Sequence, residues 1–285
     1  EALFRALSEN LRRMVEVSDQ YGADFTTAVL NIEQADQLAD FTAISALDLY
    51  RSRFSGADGM VVAVVGDSDY EVVLDVAKRY IGTLPAGKRE TWVDRTPPPP
   101  SGVDRRTVSA GVNDASAGFS LLFPPVAPVT EDFRASTTVL QEVLENRLTN
   151  SLRKELGISY GGGWVELWHV DRPEQIVSVF LSVDTNADSI QLAYNRVLSE
   201  ILNLVQQGPG AAEFEIAKET ILRELDYVDN AEKLERLMAW LLTDGQDSAP
   251  LSDRYWAVDR VGALDVAEAA RRLLPDGQRI EVFRE

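Results

Sequence analysis

Between residues 131 and 156, apolar side chains return at helical spacing: Val139, Leu140, Val143, Leu144, Leu148 and Leu152 share one face. That period predicts an amphipathic helix packed on a core. Gly157 follows, where a glycine can close a helix in the left-handed region. Downstream the period changes to two. In "EQIVSVFLSVDT", Val177, Val179 and Leu181 alternate with Ser178, Phe180 and Ser182, as in a strand with one face turned inward. "SYGGGWVELWHV" reads as its neighbour, and "DRRTVSAGV" and "AGFSLLFPPV" as two earlier strands. A helix is predicted from about Ser189 to Gln207, ending at "QGPG", and another from about Ala211 to Thr243, bent near Asp229 and Asn230. The helix "ALDVAEAARRLL", a "PDG" turn and the strand "QRIEVFRE" complete this half.

The front of the chain has a similar rhythm. "ALFRALSENLRRMVEV" reads as helix, and so does "FTAISALDLYRSRF", with Ile44, Leu47 and Tyr50 on one face. "GMVVAVVGD" is an apolar β-branched run between Gly59 and Gly66, and predicts a strand buried on both faces. "SDYEVVLDVAKRYIGTLP" predicts a helix capped by Ser or Asp, striped by Val73, Val76, Ala77 and Tyr80, and stopped by Gly82 and Pro85. Then comes "RTPPPPSG", a stiff polyproline spacer and the best domain boundary in the chain. An "ALD" triplet opens a helix–turn–strand run twice, at Ala46–Asp48 and at Ala263–Asp265. These signals predict an α+β chain in three parts: residues 1–94 as the rear of one repeat, a linker at 95–102, and a complete unit at 103–285.

Composition narrows the function classes. A formal net charge of -18 argues against nucleic acid or an anionic membrane as partner, and no stretch reaches the apolar length of a membrane span. The absence of cysteine removes disulfides, thiolate nucleophiles and Cys-zinc sites. Cysteine-free chains occur among both cytosolic and exported bacterial proteins, so the compartment stays open between cytoplasm and cell envelope or periplasm. The chain starts at Glu1 inside a helical pattern. We expect a piece of a longer protein, with any targeting signal outside it.

Little catalytic machinery can be assembled from these residues. His169 is the only histidine, so motifs needing two histidines on one helix face cannot form, and it reads as a strand or loop residue without catalytic duty. "VGDSDYE" lacks the glycines and lysine of a phosphate loop, and the acidic pairs Asp67/Asp69 and Asp226/Asp229 read as helix caps. Arg153 and Tyr160 remain, seven residues apart across the Gly157 turn. Both are hydrogen-bond donors, and converging in a cleft they would suit an oxyanion or a peptide carbonyl. An equally simple reading makes Arg153 a cation complementing a helix end and Tyr160 a core residue. Gly161, Gly162 and Gly163 follow at once. Glycines in a strand mark a bulge or a close approach by another backbone.

With those residues in view, "LENRLTNSLRKELGISYGG" resembles the second-half motif of the M16 zinc metallopeptidases, the pitrilysin and insulin-degrading-enzyme group, through Arg147-Leu148, Leu152-Arg153, Gly157 and Tyr160. "VVGDSDYEVVLDVAKRYIGTLP" is similar to the segment closing an M16 repeat, and the proline linker and the restart at "VSAGVNDASAGFSLLFP" fit the same order. The resemblance covers nearly the whole chain. It implies repeat units with a mostly antiparallel sheet flanked by helices, here one partial and one complete. It further implies an "H-x-x-E-H" zinc site in an N-terminal half, to which the C-terminal half contributes an Arg and a Tyr. By position those are Arg153 and Tyr160, acting on substrate and transition state, with Gly161, Gly162 and Gly163 beside the passing peptide. The chain lacks "H-x-x-E-H". The expectation is therefore no metal or cofactor in this chain, zinc in the full-length parent if its N-terminal half is intact, and a peptide or small protein as substrate. Alone, the chain should be inactive. The alternative is a non-catalytic M16-like interaction or scaffold protein.

Overall fold

The computed structural model of the protein describes residues 42–54, 56–58, 60–87, 101–108, 117–170, 175–226, 229–242 and 253–284. The expected helix in residues 2–17, the four prolines and the end of "DRRTVSAGV" lie outside the described residues.

Five strands share one sheet: β1 (Val103–Val108), β2 (Ala117–Leu122), β3 (Trp164–Val170), β4 (Ile176–Thr185) and β5 (Arg279–Arg284). Their order is β1-β5-β2-β4-β3; β1 and β5 pair in parallel and every other pair is antiparallel. The alternation in β4 decides the layering. Val177, Val179, Leu181 and Val183 are buried, while Ser178, Phe180 and Ser182 are only partly covered. One sheet face therefore meets the core and the other reaches solvent, as antiparallel sheets permit.

The helices of this half are α3 (Glu131–Leu148), α4 (Ile190–Gln207), α5 (Ala211–Leu225), α6 (Asn230–Leu242), α7 (Arg254–Arg260) and α8 (Ala263–Leu273). The expected bend at Asp229 and Asn230 falls at the break between α5 and α6. α3 starts with Thr130, whose hydroxyl accepts the Phe133 N–H at 3.2 Å, and carries Glu131 and Asp132 in its first turn and Arg147 in its last. That polarity matches the helix dipole. Its apolar stripe from Val139 to Leu148 is fully buried, each leucine contributing about 1.5–3 kcal/mol by burial. Arg147 binds α3 to α5 through Glu213, at 2.5 Å and 2.8 Å, and reaches the Gly208 carbonyl at 3.2 Å. The edge strand β3 is held by two α3 side chains. Gln141 donates to the Val165 carbonyl at 2.9 Å, and Glu145 accepts the Val165 N–H at 3.1 Å.

The front of the chain differs from expectation. α1 (Ala43–Phe54) and α2 (Tyr70–Tyr80) form, the latter capped by Asp69, whose carboxylate accepts the Glu71 N–H at 2.8 Å. "GMVVAVVGD" does not form the buried strand predicted for it. Residues 60–65 join no ladder, and Met60, Val61, Val62 and Val64 are exposed. Strand structure belongs to a pair, and none of the described strands lies beside this run. The α2 stripe is likewise half-covered at Val73 and Ala77 and exposed at Val76 and Tyr80.

Candidate functional site

The last turns of the leucine-striped helix widen. Thr149–Glu155 is π-helical, and the Leu156 N–H donates to the Ser151 carbonyl, five residues back, at 3.1 Å. Such segments cost hydrogen-bond geometry and recur at functional sites. Ser151 and Leu152 stay in the core, while Arg153, Lys154 and Glu155 face solvent. Glu155 is tied to Arg196 of α4 at 2.6 Å, and Lys154 to Asn150 at 2.7 Å. Arg153 makes no ion pair or hydrogen bond among the described residues. Gly157, at φ +63°, turns the chain, and the Ile158 N–H returns to the Leu152 carbonyl at 3.0 Å.

The loop from Gly157 to Gly163 is fastened from below. Thr185, the last residue of β4, donates its hydroxyl to the Ile158 carbonyl at 2.6 Å. Ser159 is buried, with its hydroxyl 2.7 Å from the Asp184 carbonyl and 2.9 Å from that of Gly162. Between these anchors Tyr160 is 91% exposed, and the Arg153 guanidinium lies 5.4 Å from its ring centroid. The two residues singled out by spacing therefore meet, in cation–π contact, on a held loop. Tyr160 is not a core residue.

The three glycines divide. Gly162 has φ +78°, and a Cβ there would sit 2.7 Å from the Thr149 Cα. At Gly163 a Cβ would come within 2.5 Å of the buried Leu148 Cδ1. What approaches these two glycines is the chain's own helix. Gly161 alone has open space where a side chain would be. Trp164 follows at the head of β3, 62% exposed on the open sheet face. No local pattern marks Ser159 or Thr185 as loop anchors; Trp164 is legible in "WVELW", where Trp164, Glu166 and Trp168 alternate with Val165 and Leu167 as in a two-faced strand.

His169 stands apart near the end of β3. Local desolvation, then the charges of Arg134 and Arg254, keep its imidazole below the ordinary histidine range, though part of its surface meets solvent. The densest charged cluster is also elsewhere. Fully buried Glu281 of β5 accepts from Arg105 at 2.6 Å, Arg279 at 2.7 Å and the Tyr194 hydroxyl at 2.6 Å. Burial would raise its pKa, but those three hydrogen bonds outweigh it and hold the carboxyl below its ordinary value. This cluster fastens β1 and β5 to α4.

Among the described residues, no group of three or more His, Cys, Asp or Glu side chains is placed to hold a metal ion. With one histidine and no cysteine, the donor set does not fit the two-histidine zinc motif of the resembled family. No described helix is long and apolar enough to cross a membrane.

A family model described as the peptidase M16 inactive domain matches residues 40–221, more than half of the chain. The chain belongs to the M16 peptidase family. Its match includes the π-helical segment, Arg153, Tyr160 and the glycines. No curated protein matches this M16 chain in sequence. Among solved structures, it is similar to a peptidase M16 inactive domain from Pseudomonas fluorescens, with TM-score 0.70, 16% identity, and coverage of 96% of this chain and 65% of that one. The periplasmic protease PqqL from Escherichia coli gives 0.66 and 22%, covering 88% of this chain and 29% of that one. The ferredoxin protease FusC, in complex with Arabidopsis ferredoxin, gives 0.65 and 15%, covering 88% and 27%. At these identities the likeness is one of fold. The M16 chain spans less than two thirds of each of the three.

Proposed function

We propose that this M16 chain is the substrate-binding, C-terminal part of a zinc metallopeptidase whose hydrolytic centre is supplied by an N-terminal half outside the chain. Residues 1–94 then form the rear of one repeat, 95–102 the linker, and 103–285 the complete C-terminal unit. The observation that carries the reading is the exposed Arg153–Tyr160 pair on a loop held by Ser159 and Thr185. Exposing an aromatic ring while burying hydrogen bonds to hold its loop costs stability, and makes sense if the ring meets something.

In this role Arg153 binds a substrate carbonyl, and the Tyr160 hydroxyl donates to the oxygen of the scissile carbonyl as negative charge develops on it. Gly161, the one of these three glycines with open space, lets an extended peptide pass close to the loop. Gly162 and Gly163 contribute by letting the loop lie tight on the helix. The likeness to PqqL, a periplasmic protease, and to FusC, a ferredoxin protease in complex with a ferredoxin, favours a peptide or small protein as substrate. The family description "inactive domain" also fits a non-catalytic scaffold. The parent sequence decides between the two by the presence or absence of "H-x-x-E-H".

The direct test is turnover by the full-length parent. Tyr160→Phe should lower kcat on the order of 100-fold with KM little changed, as loss of one oxyanion donor does. Arg153→Ala should act mainly on KM. Both side chains are exposed, so folding stability should stay within about 0.5 kcal/mol. Normal cleavage by both variants would sink the assignment.

A further inference from the structure

The open face of β3 carries a second feature, which the Arg153–Tyr160 pair does not use. Trp164, Glu166 and Trp168 alternate along the strand and so project from the same face, neighbours spaced about 7 Å apart. Glu166 stands directly opposite Phe180 of β4, and the Trp168 ring stacks on Phe180 at 5.0 Å and 12°. The strip is thus a carboxylate with an aromatic ring beyond it on each side and a third facing it across the sheet.

Its charge is uncompensated. Glu166 is partly exposed and makes no ion pair or hydrogen bond among the described residues. The other ions described on this face are matched: Asp104 with Arg106 at 2.9 Å, and Asp184 with Arg284 at 2.5 Å. A carboxylate among ring faces attracts a cation twice over, by its own charge and by the ring quadrupoles. The net charge of -18 adds long-range attraction of the same sign.

We infer that Trp164, Glu166 and Trp168 form a binding strip for a basic side chain, arginine or lysine, of the peptide that meets Tyr160. This rests on the reading of Arg153 and Tyr160 as substrate contacts and gives it a substrate class. The chain runs from Tyr160 through the Gly161–Gly163 bend into the strip, and Glu166 lies at most about 20 Å of extended backbone beyond it. An extended peptide crossing both places its basic residue about six positions or fewer from the bond at Tyr160. Trp164, the more exposed indole, lies between the two places and covers the peptide's intervening side chains.

The test is binding to the 285-residue chain, which needs no zinc and no turnover. A labelled, capped nonapeptide with a single central arginine, in a glycine, alanine and threonine background, is titrated by fluorescence anisotropy. Its lysine, glutamine and glutamate counterparts are titrated alongside. The arginine and lysine peptides should bind about tenfold tighter than glutamine, and glutamate weakest. Glu166→Gln should abolish that preference, and Trp164→Ala should weaken all four peptides. Arg153→Ala and Tyr160→Phe should leave the preference intact, so a failure of the catalytic reading is seen in parent turnover and not here. Equal binding of arginine and glutamine peptides, absence of binding by either, or an unchanged preference in Glu166→Gln overturns the inference. So does a concentration-dependent dimer that excludes peptide and dissolves in Trp164→Ala, which would make the occupant a second copy.

Discussion

Gly162 and Gly163 owe their identity to the two residues beneath them, Thr149 and Leu148. At Gly163 a methyl group would overlap a leucine with no solvent to move into, and at Gly162 it would meet backbone at a left-handed φ. Alanine at either position should cost about 1–3 kcal/mol, from overpacking and, at Gly162, from backbone strain as well. Gly161→Ala meets no atom and should stay within about 0.5 kcal/mol. Urea unfolding of the three variants separates the cases, and equal losses at all three would refute this division of roles. The run of glycines was legible in the sequence as a close approach, but the approaching partner was not. Which backbone arrives is a matter of how the helix end folds back. The Arg153–Tyr160 pair was legible by spacing because one turn at Gly157 joins the two residues. Ser159 and Thr185 were not, because their hydroxyls reach carbonyls 25 and 27 positions away along the chain.

Among the elements, those that could be read in advance are those with one covered face. α3, β4, α4 and α8 each show a single apolar stripe or alternation, and each buries it. The π-helical segment was not legible, since Leu148 and Leu152 carry the α-helical spacing straight into it. The "GMVVAVVGD" run failed for the opposite reason: its composition asks for a strand, but the sheet is built elsewhere. The β1–β5–α4 junction was also hidden, because Arg105, Tyr194, Arg279 and Glu281 are scattered in sequence and meet only in the fold. Its energetics give a pH prediction. Glu281 has a folded pKa below its ordinary 4.5, so its contribution is present above that value and is lost as pH falls through the folded value. Glu281→Gln leaves two guanidinium groups facing a neutral amide. It should cost about 3 kcal/mol at pH 7, the lower end for a broken buried pair because Arg105 is half-exposed and screened. The variant's deficit should shrink below pH 4.5. Urea midpoints at pH 7 and in that acid window check both the size and the sign. A deficit that stays constant on acidification would remove Glu281 as a source of acid lability.

At the scale of the whole molecule, burial is distributed unequally. Among the described residues, every fully buried large side chain belongs to 117–284, the part that contributes β2 to β5 and the helices packed on the sheet. The described side chains of residues 42–87 include none, and Ile44, Tyr50, Met60, Val64, Tyr70 and Tyr80 are exposed. α1 and α2 each form a helix with an apolar stripe, yet few of those positions find cover. A short amphipathic helix without a packed face is marginal in water. This is what the proposed two-unit division requires: one unit carries its own core, and the other offers apolar surface for further parts of a repeat to cover. Local stability should follow the same line, because opening costs least where apolar contact is least. Limited proteolysis of the chain should therefore cut within residues 42–87 first and leave a resistant product beginning between the proline run and β2. A site occupied by a basic peptide should protect the region around Tyr160 without protecting residues 42–87. Mass spectrometry of the products reads both outcomes. If residues 42–87 persist in every resistant product, the front of the chain shares the core of the second unit, and the division at the proline run must be abandoned.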